Sequence, residues 1–314
     1  MKSSTFSHGS IVCGTIVVAD IEKSIALYCQ ALNYAVVERA EISQEIAKAW
    51  SASNLAGQQF CLLQAAEHTS EDAGISYLRL LQSADDSQPY PHATTFGWCA
   101  FEISVRDVFA LEKKLNQSAF NVIGPPKHLD NMNNVIPMQV VGPDQEVLYL
   151  NQVLASDEHT DLPVARYEVD QFFIAVLAAK DRSASVLELS KQLNLSDELS
   201  LSLRYSLINR AFNLDAETKH SLTLLQCDRL PVIEVDQYPK GAKARKVAEN
   251  SLHKGNAIVS ILVDSLQDLP NDLSLSSEPL EGLDGTFYKD SKTVVIQGSN
   301  GELIELLERP DTAA

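Results

Sequence analysis

Apolar and polar positions change period in a recurring order along the chain. The run Ile11 to Val18 is short, β-branched and apolar, which predicts a buried strand. Asp20 then stands where a helix N-cap belongs. After it Ile21, Ser24, Ile25, Tyr28, Ala31 and Leu32 recur at helical spacing, with Glu22, Lys23 and Gln30 between them, and predict an amphipathic helix ending near Asn33. Strands are expected over 34–40, 59–64 and 75–82, with a short helix over 44–50. The order is β-α-β-β-β.

The same order returns. A strand over 97–104 precedes a helix marked by Val105, Val108, Phe109, Leu111 and Leu115, and strands over 120–123, 135–141 and 147–153 follow. A polar, acidic stretch over 155–162 reads as a linker. The third round has a strand over 172–179, a cap at Asp181, a helix through Ser183, Val186, Leu189 and Leu193, an extra helical insertion over 196–213, and strands over 222–226 and 231–236. In the fourth, a strand over 256–263 leads to Pro270, which cuts the helix that should follow, and strands over 285–288, 293–297 and 302–307 close the chain. Four rounds at a spacing of about 75–85 residues make an internal repeat of pattern rather than identity. Two domains are expected, 1–155 and 165–314, each of two rounds.

Composition narrows the function classes. With 45% hydrophobic residues in 314, the chain can build sizeable cores. No apolar run approaches about 18 residues, so no transmembrane helix is expected, and the polar N-terminus leads to no signal-peptide core. The net charge of 25 − 42 = −17 repels phosphate backbones and argues against a nucleic-acid partner. Five cysteines, an odd number without a CxxC pair, read as buried free thiols of a cytoplasmic protein rather than a zinc ribbon or a disulfide scaffold. The seven histidines form no HxH, HxxxH or HxxE pattern and are expected in solvent-exposed loops. One local basic run, with Lys240, Lys243, Arg245, Lys246 and Lys254, reads as a solvated loop, with anion binding as the other reading.

A family resemblance rests on particular residues. Cys13-Gly14-Thr15-Ile16-Val17-Val18-Ala19-Asp20, followed by Ile21 to Tyr28, resembles the opening of a vicinal-oxygen-chelate module, the unit of glyoxalase I, bleomycin-resistance proteins and extradiol dioxygenases. Trp98 to Ile103 resembles the start of a second module. Gly142-Pro143-Asp144-Gln145-Glu146 through Leu150, and Gly298-Ser299-Asn300-Gly301-Glu302 through Glu305, resemble closing elements. The resemblance implies an α+β fold in which paired βαβββ modules form two cupped mixed sheets, with helices behind them. It leaves the chemistry open, because such folds host many activities.

In that fold the metalloenzymes place one ligand on each of four strands. By resemblance these positions fall here on Cys13, Arg79, Trp98 and Tyr149. A guanidinium has no acceptor and an indole only donates, so no metal and no other cofactor is expected in this cup. An aromatic wall beside a guanidinium instead suits a small organic ligand, flat or anionic. Cys13, Thr15, Arg79, Trp98 and Tyr149 are therefore the candidate ligand-binding residues, and Glu102 is the candidate catalytic base. The alternative is that the aromatics fill a core and Arg79 pairs with Glu102. In the second half the positions fall on Ile174, on Ile258 or Ser260, and on Glu234 and Glu305. The two carboxylates, with a loop histidine, would be needed for a metal-dependent lyase, isomerase or dioxygenase. The expected function is a metal-independent small-molecule-binding protein or cofactor-free enzyme. An assembly role, with a degenerate second half or a homodimer, is a third option.

Overall fold

A computed structural model describes residues 8–309 except 73, 129–133, 196, 271–274, 276 and 277. Module 1 comprises β1 (Ile11–Val18), α1 (Ile21–Leu32), β2 (Tyr34–Glu41), α2 (Gln44–Ala49), β3 (Gln59–Ala65) and β4 (Tyr77–Gln82). Module 2 comprises β5 (Gly97–Val105), α3 (Val108–Leu115), β6 (Asn121–Gly124), β7 (Val135–Val141) and β8 (Val147–Val153). Module 3 comprises β9 (Val169–Ala179), α4 (Arg182–Gln192), β10 (Asp197–Arg204), α5 (Ser206–Ala211), β11 (Lys219–Cys227) and β12 (Leu230–Gln237). Module 4 comprises β13 (Gly255–Val263), a 3-10 turn at Leu266–Asp268 in place of the helix, β14 (Lys292–Gln297) and β15 (Leu303–Glu308).

Asp20, Asp107 and Asp181 cap α1, α3 and α4, each side chain accepting a hydrogen bond from a first-turn amide. A second device recurs in every module, with glutamine in three of them and glutamate in the fourth. The amide of the first helical residue donates to a side chain on the module's closing strand: Ile21 to Gln82 (3.0 Å), Val108 to Gln152 (3.1 Å), Arg182 to Gln237 (3.0 Å) and Leu266 to Glu308 (2.6 Å). Each satisfies an amide that the helix itself leaves free.

The strands form two mixed sheets, β14-β15-β13-β1-β4-β3-β2 and β10-β11-β12-β9-β5-β8-β7-β6. β1 pairs antiparallel with β13, and β5 with β9. Module 1 therefore shares a sheet with module 4, and module 2 with module 3, whereas the sequence reading paired 1 with 2 and 3 with 4. The chain crosses between sheets in segments 83–96 and 238–254 and stays in one sheet from β8 to β9. The opening strands β1, β5 and β13 are mostly apolar and buried throughout, and β9 nearly so; their patterns do not distinguish the pairings.

The two sheets meet through their back faces. Gly14 makes the close approach possible: a Cβ there would lie 2.8 Å from both Phe101 and Phe172. The same apolar layer takes in Ile16, Val18 and Ile103 from the strands and Ile25, Leu32, Leu111 and Leu189 from the helices. Two other clusters fill the opposite faces, a first cup on the module 1–4 sheet and a second on the module 2–3 sheet.

Two further expectations change. The helical insertion expected over 196–213 is instead strand β10 over its first half, followed by the short α5. Leu199, Leu201 and Leu203 alternate with the exposed Ser200 and Ser202, a period of two that suits a strand. Residues 285–288 are a turn that buries Phe287 and Tyr288. No helix among the described residues is long and apolar enough to cross a membrane.

Candidate functional site

The first cup is built on β1, where Cys13, Thr15 and Val17 face inward and Gly14 faces the other sheet, as alternation requires. Arg79 on β4 pairs in register with Thr15, and Glu305 on β15 with Ser260. Arg79 and Glu305 are 0% and 1% exposed and form an ion pair of 3.0 Å. The guanidinium also donates from Nε to Thr15 Oγ1 (2.9 Å) and from Nη1 to the Tyr288 hydroxyl (2.6 Å). It lies 4.6 Å from the centre of the Trp50 ring.

Glu305 is saturated. Its Oε1 accepts from the Trp50 indole (2.8 Å) and the Tyr288 hydroxyl, and its Oε2 from Arg79 and the Ser260 hydroxyl. A carboxylate offers about four acceptor positions, and all are taken. Burial alone would lower the proton affinity of Arg79, but Glu305, Tyr288 and Cys13 together more than reverse it, so the guanidinium stays charged. Burial pushes the Cys13 thiol up to about 12. A protonated thiol, a guanidinium, a hydroxyl and a carboxylate without free lone pairs do not fit a metal ion.

The second cup holds the remaining acids. Glu102 and Asn151 come from β5 and β8, Glu234 and Asp236 from β12, with Tyr149, Tyr205 and Tyr238 around them. Asn151 donates to Glu102, and the Tyr205 hydroxyl to Glu234. Asp236 is 0% exposed, and no N–H or O–H of the described residues reaches either of its oxygens. Its neighbour is Glu234, so a bond between the two carboxyls exists only while one of them keeps a proton. Burial, then the charge of Glu234, holds Glu102 well above the usual carboxylate range. Burial, then Glu234 and Glu102, does the same to Asp236. Burial raises Glu234 to about 7, against the opposing bond from Tyr205. The three tyrosines are likewise pushed up, chiefly by burial, and remain hydroxyl donors. Among the described residues no three His, Cys, Asp or Glu side chains converge as a metal site.

The candidate residues are thus divided. Cys13, Thr15 and Arg79 lie in the first cup, Glu102 and Tyr149 in the second, and Arg79 pairs with Glu305 rather than Glu102. Trp98 lies in neither: it joins the layer between the sheets, and its indole donates to Leu303 O (2.9 Å). A bulge in β5 between Trp98 and Ala100 reverses its face relative to Glu102. Asp236 was readable but missed, standing two residues after Glu234 and so on its face. Trp50 and Tyr288 had no local signal. Three histidine rings expected in solvent are buried: His68 bonds Asp170 (2.7 Å), His220, inside β11, bonds Asn209 (2.6 Å), and His253 lies against Arg245. The five cysteines are thiols rather than disulfides, with Cys13, Cys61 and Cys99 buried.

No known family profile matches the sequence, and no curated protein matches it. Solved structures do. Glyoxalase I from Zea mays superposes with a TM-score of 0.59 at 12% identity, over 95% of this chain and 92% of that one. A putative dioxygenase from Bacillus subtilis subsp. subtilis str. 168 superposes with a TM-score of 0.59 at 11% identity, over 98% of this chain and 87% of that one. The chain has the glyoxalase/bleomycin-resistance/dioxygenase fold. That vicinal-oxygen-chelate fold is carried here over nearly the whole chain, and identities this low speak for the fold alone.

Proposed function

We propose that the protein is a metal-independent, cofactor-free protein that binds a small organic molecule in the second cup and performs proton transfer on it. The observation that carries this reading is the cluster of three buried acids Glu102, Glu234 and Asp236, in which Asp236 has no partner among the described residues but the Glu234 carboxyl. Buried polar groups are nearly always well partnered, so an acid whose only partner is another acid suits a ligand that brings hydroxyl or amine donors. Three buried carboxyls disfavour an anionic ligand, which removes the preference that Arg79 had suggested. Glu234, titrating near neutrality, and Asp236 suit a base and an acid that exchange a proton with a carbon beside a carbonyl. The tyrosine hydroxyls suit the oxygen on which enolate charge develops. Ion pairing in the first cup supports the metal-independent part of the reading.

The test is proton exchange. Hydroxyaldehydes and hydroxyketones would be incubated with the protein in D2O and followed by NMR. Deuterium entering the carbon next to the carbonyl with the wild type, and not with Asp236→Asn, is the expected result. No exchange with any of them, or equal exchange in the variant, would reject the acid–base role. Stoichiometric transition metal in the purified protein would reject metal independence.

A further inference from the structure

We propose a separate anion-binding pocket at the junction of the two sheets, in which Arg245 and Lys254 hold the carboxylate or phosphate head of a ligand whose remainder projects into solvent. Its residues come from the basic run. Lys240, Lys243 and Lys246 are exposed, as a solvated loop requires, but Arg245 and Lys254 turn inward and line a pocket with Tyr90, His92, Gln145 and Asn256. Lys254 is only 7% exposed.

The cations there lack the partners such groups usually have. Arg245 donates from Nε to Thr95 Oγ1 (3.0 Å), from Nη1 to the His253 ring (2.9 Å) and Asn256 O (3.3 Å), and from Nη2 to Trp98 O (2.8 Å). Every one of these acceptors is neutral. Elsewhere in the chain Arg79, Arg166, Arg204 and Arg229 each have a carboxylate within 4 Å; Arg245 has none among the described residues. Lys254 Nζ donates to the carbonyl of Ser87. Asp85 and Asp144 feel the charge of Lys254 without contacting it. A guanidinium has five N–H groups, and the second hydrogen on Nη2 has no acceptor among the described residues. Largely desolvated charges of this kind are normally paired.

His253 fixes the arrangement. Its Nδ1 bonds Lys254 O (2.9 Å), which leaves Nε2 to accept from Arg245. Burial, then the charge of Arg245, holds the ring down to about 3, so it stays a neutral acceptor. The pocket has room for about one water-sized group and is open on one side. It therefore admits one or two oxygens of an anionic head, the rest of the molecule staying outside. Charge explains the selectivity: a chain of net charge −17 repels anions except where two cations without a contacting carboxylate line one pocket.

The site does not rest on the second-cup reading, and its test reads binding alone. The full-length protein would be titrated with sodium phosphate and, separately, sodium acetate, each exchanged for sodium chloride at constant ionic strength, with the melting temperature followed. A saturable rise with either anion is expected, phosphate marking a phosphate-ester site and acetate a carboxylate site. The half-saturating concentration should rise at least tenfold in Lys254→Gln and in Arg245→Lys, which keeps the charge and loses the fork. If Arg245→Lys does not fold, Lys254→Gln decides. No saturable rise with either anion, or an unchanged midpoint in Lys254→Gln, would overturn the proposal.

Discussion

Arg79 and Glu305 are 226 residues apart in sequence and 3.0 Å apart in space, and their contact exists because β1 pairs with β13. They stand on the two strands that flank that pair. In the first cup the positive charge is supplied by a side chain of the protein itself.

The pair predicts a strong, non-additive response to substitution. Arg79→Met leaves Glu305 charged and buried with only neutral donors, and should cost about 3–5 kcal/mol. Glu305→Leu strands the guanidinium and should cost a similar amount. The double variant removes both charges and should lose clearly less than the sum. Urea unfolding of the four proteins in the cycle measures this, and additive losses would contradict the contact.

Stability should fall as the pH rises from about 5 to 8. Burial raises Glu234 to about 7, Glu302 to about 7 and Glu146 to about 8, and holds Glu102 and Asp236 well above their ordinary range. For a carboxyl raised on folding, the folded chain holds a proton that the unfolded chain has released, between the unfolded and folded values. Each such group therefore withdraws stability as pH rises through that window, and its penalty is complete above the folded value. His253, lowered to about 3, acts the other way up to about pH 6.5, but it opposes five carboxyls. A tenfold change in proton affinity is worth about 1.4 kcal/mol, so Glu234→Gln should stabilise at pH 8 by up to about 3 kcal/mol and have little effect at pH 4.5. Denaturant midpoints across this range test it, and a variant as pH-dependent as the wild type would refute it.

What the sequence disclosed follows from how local each signal is. Strand alternation around Thr15, the capping aspartates and the repeat order are local, and they placed Cys13, Thr15 and Arg79 on one face. The partner of Arg79 is not local. It depends on which opening strand meets β1, and β5, β9 and β13 are alike in pattern. A single bulge then turned Trp98 away from Glu102, a shift that no periodicity announces. Asp236 and the alternation Leu199-Ser200-Leu201-Ser202-Leu203 were local signals left unread.

The clamps between closing strand and helix start should be equivalent across modules. Gln82→Ala, Gln152→Ala and Gln237→Ala each leave one first-turn amide without its acceptor. The loss should be about 1 kcal/mol apiece, as for a helix cap. The three bonds lie in different modules and share no residue, so the triple variant should lose close to the sum. Thermal or urea unfolding checks this. A neutral Gln152→Ala would show that water replaces the side chain there.

Thiol reactivity should separate the five cysteines by burial. Cys13 is pushed up to about 12 and Cys61 to about 11, chiefly by desolvation, and the same cause raises Cys99 further. A thiol held protonated inside a packed cup is neither a nucleophile nor a target for disulfide exchange. At pH 8 an aromatic disulfide reagent should modify at most Cys29 and Cys227, which are partly exposed, while all five react in denaturant. Peptide mass spectrometry of the native reaction identifies the sites. Fast modification of Cys13 would mean that the first cup opens, and that the Arg79–Glu305 pair is not its resting state.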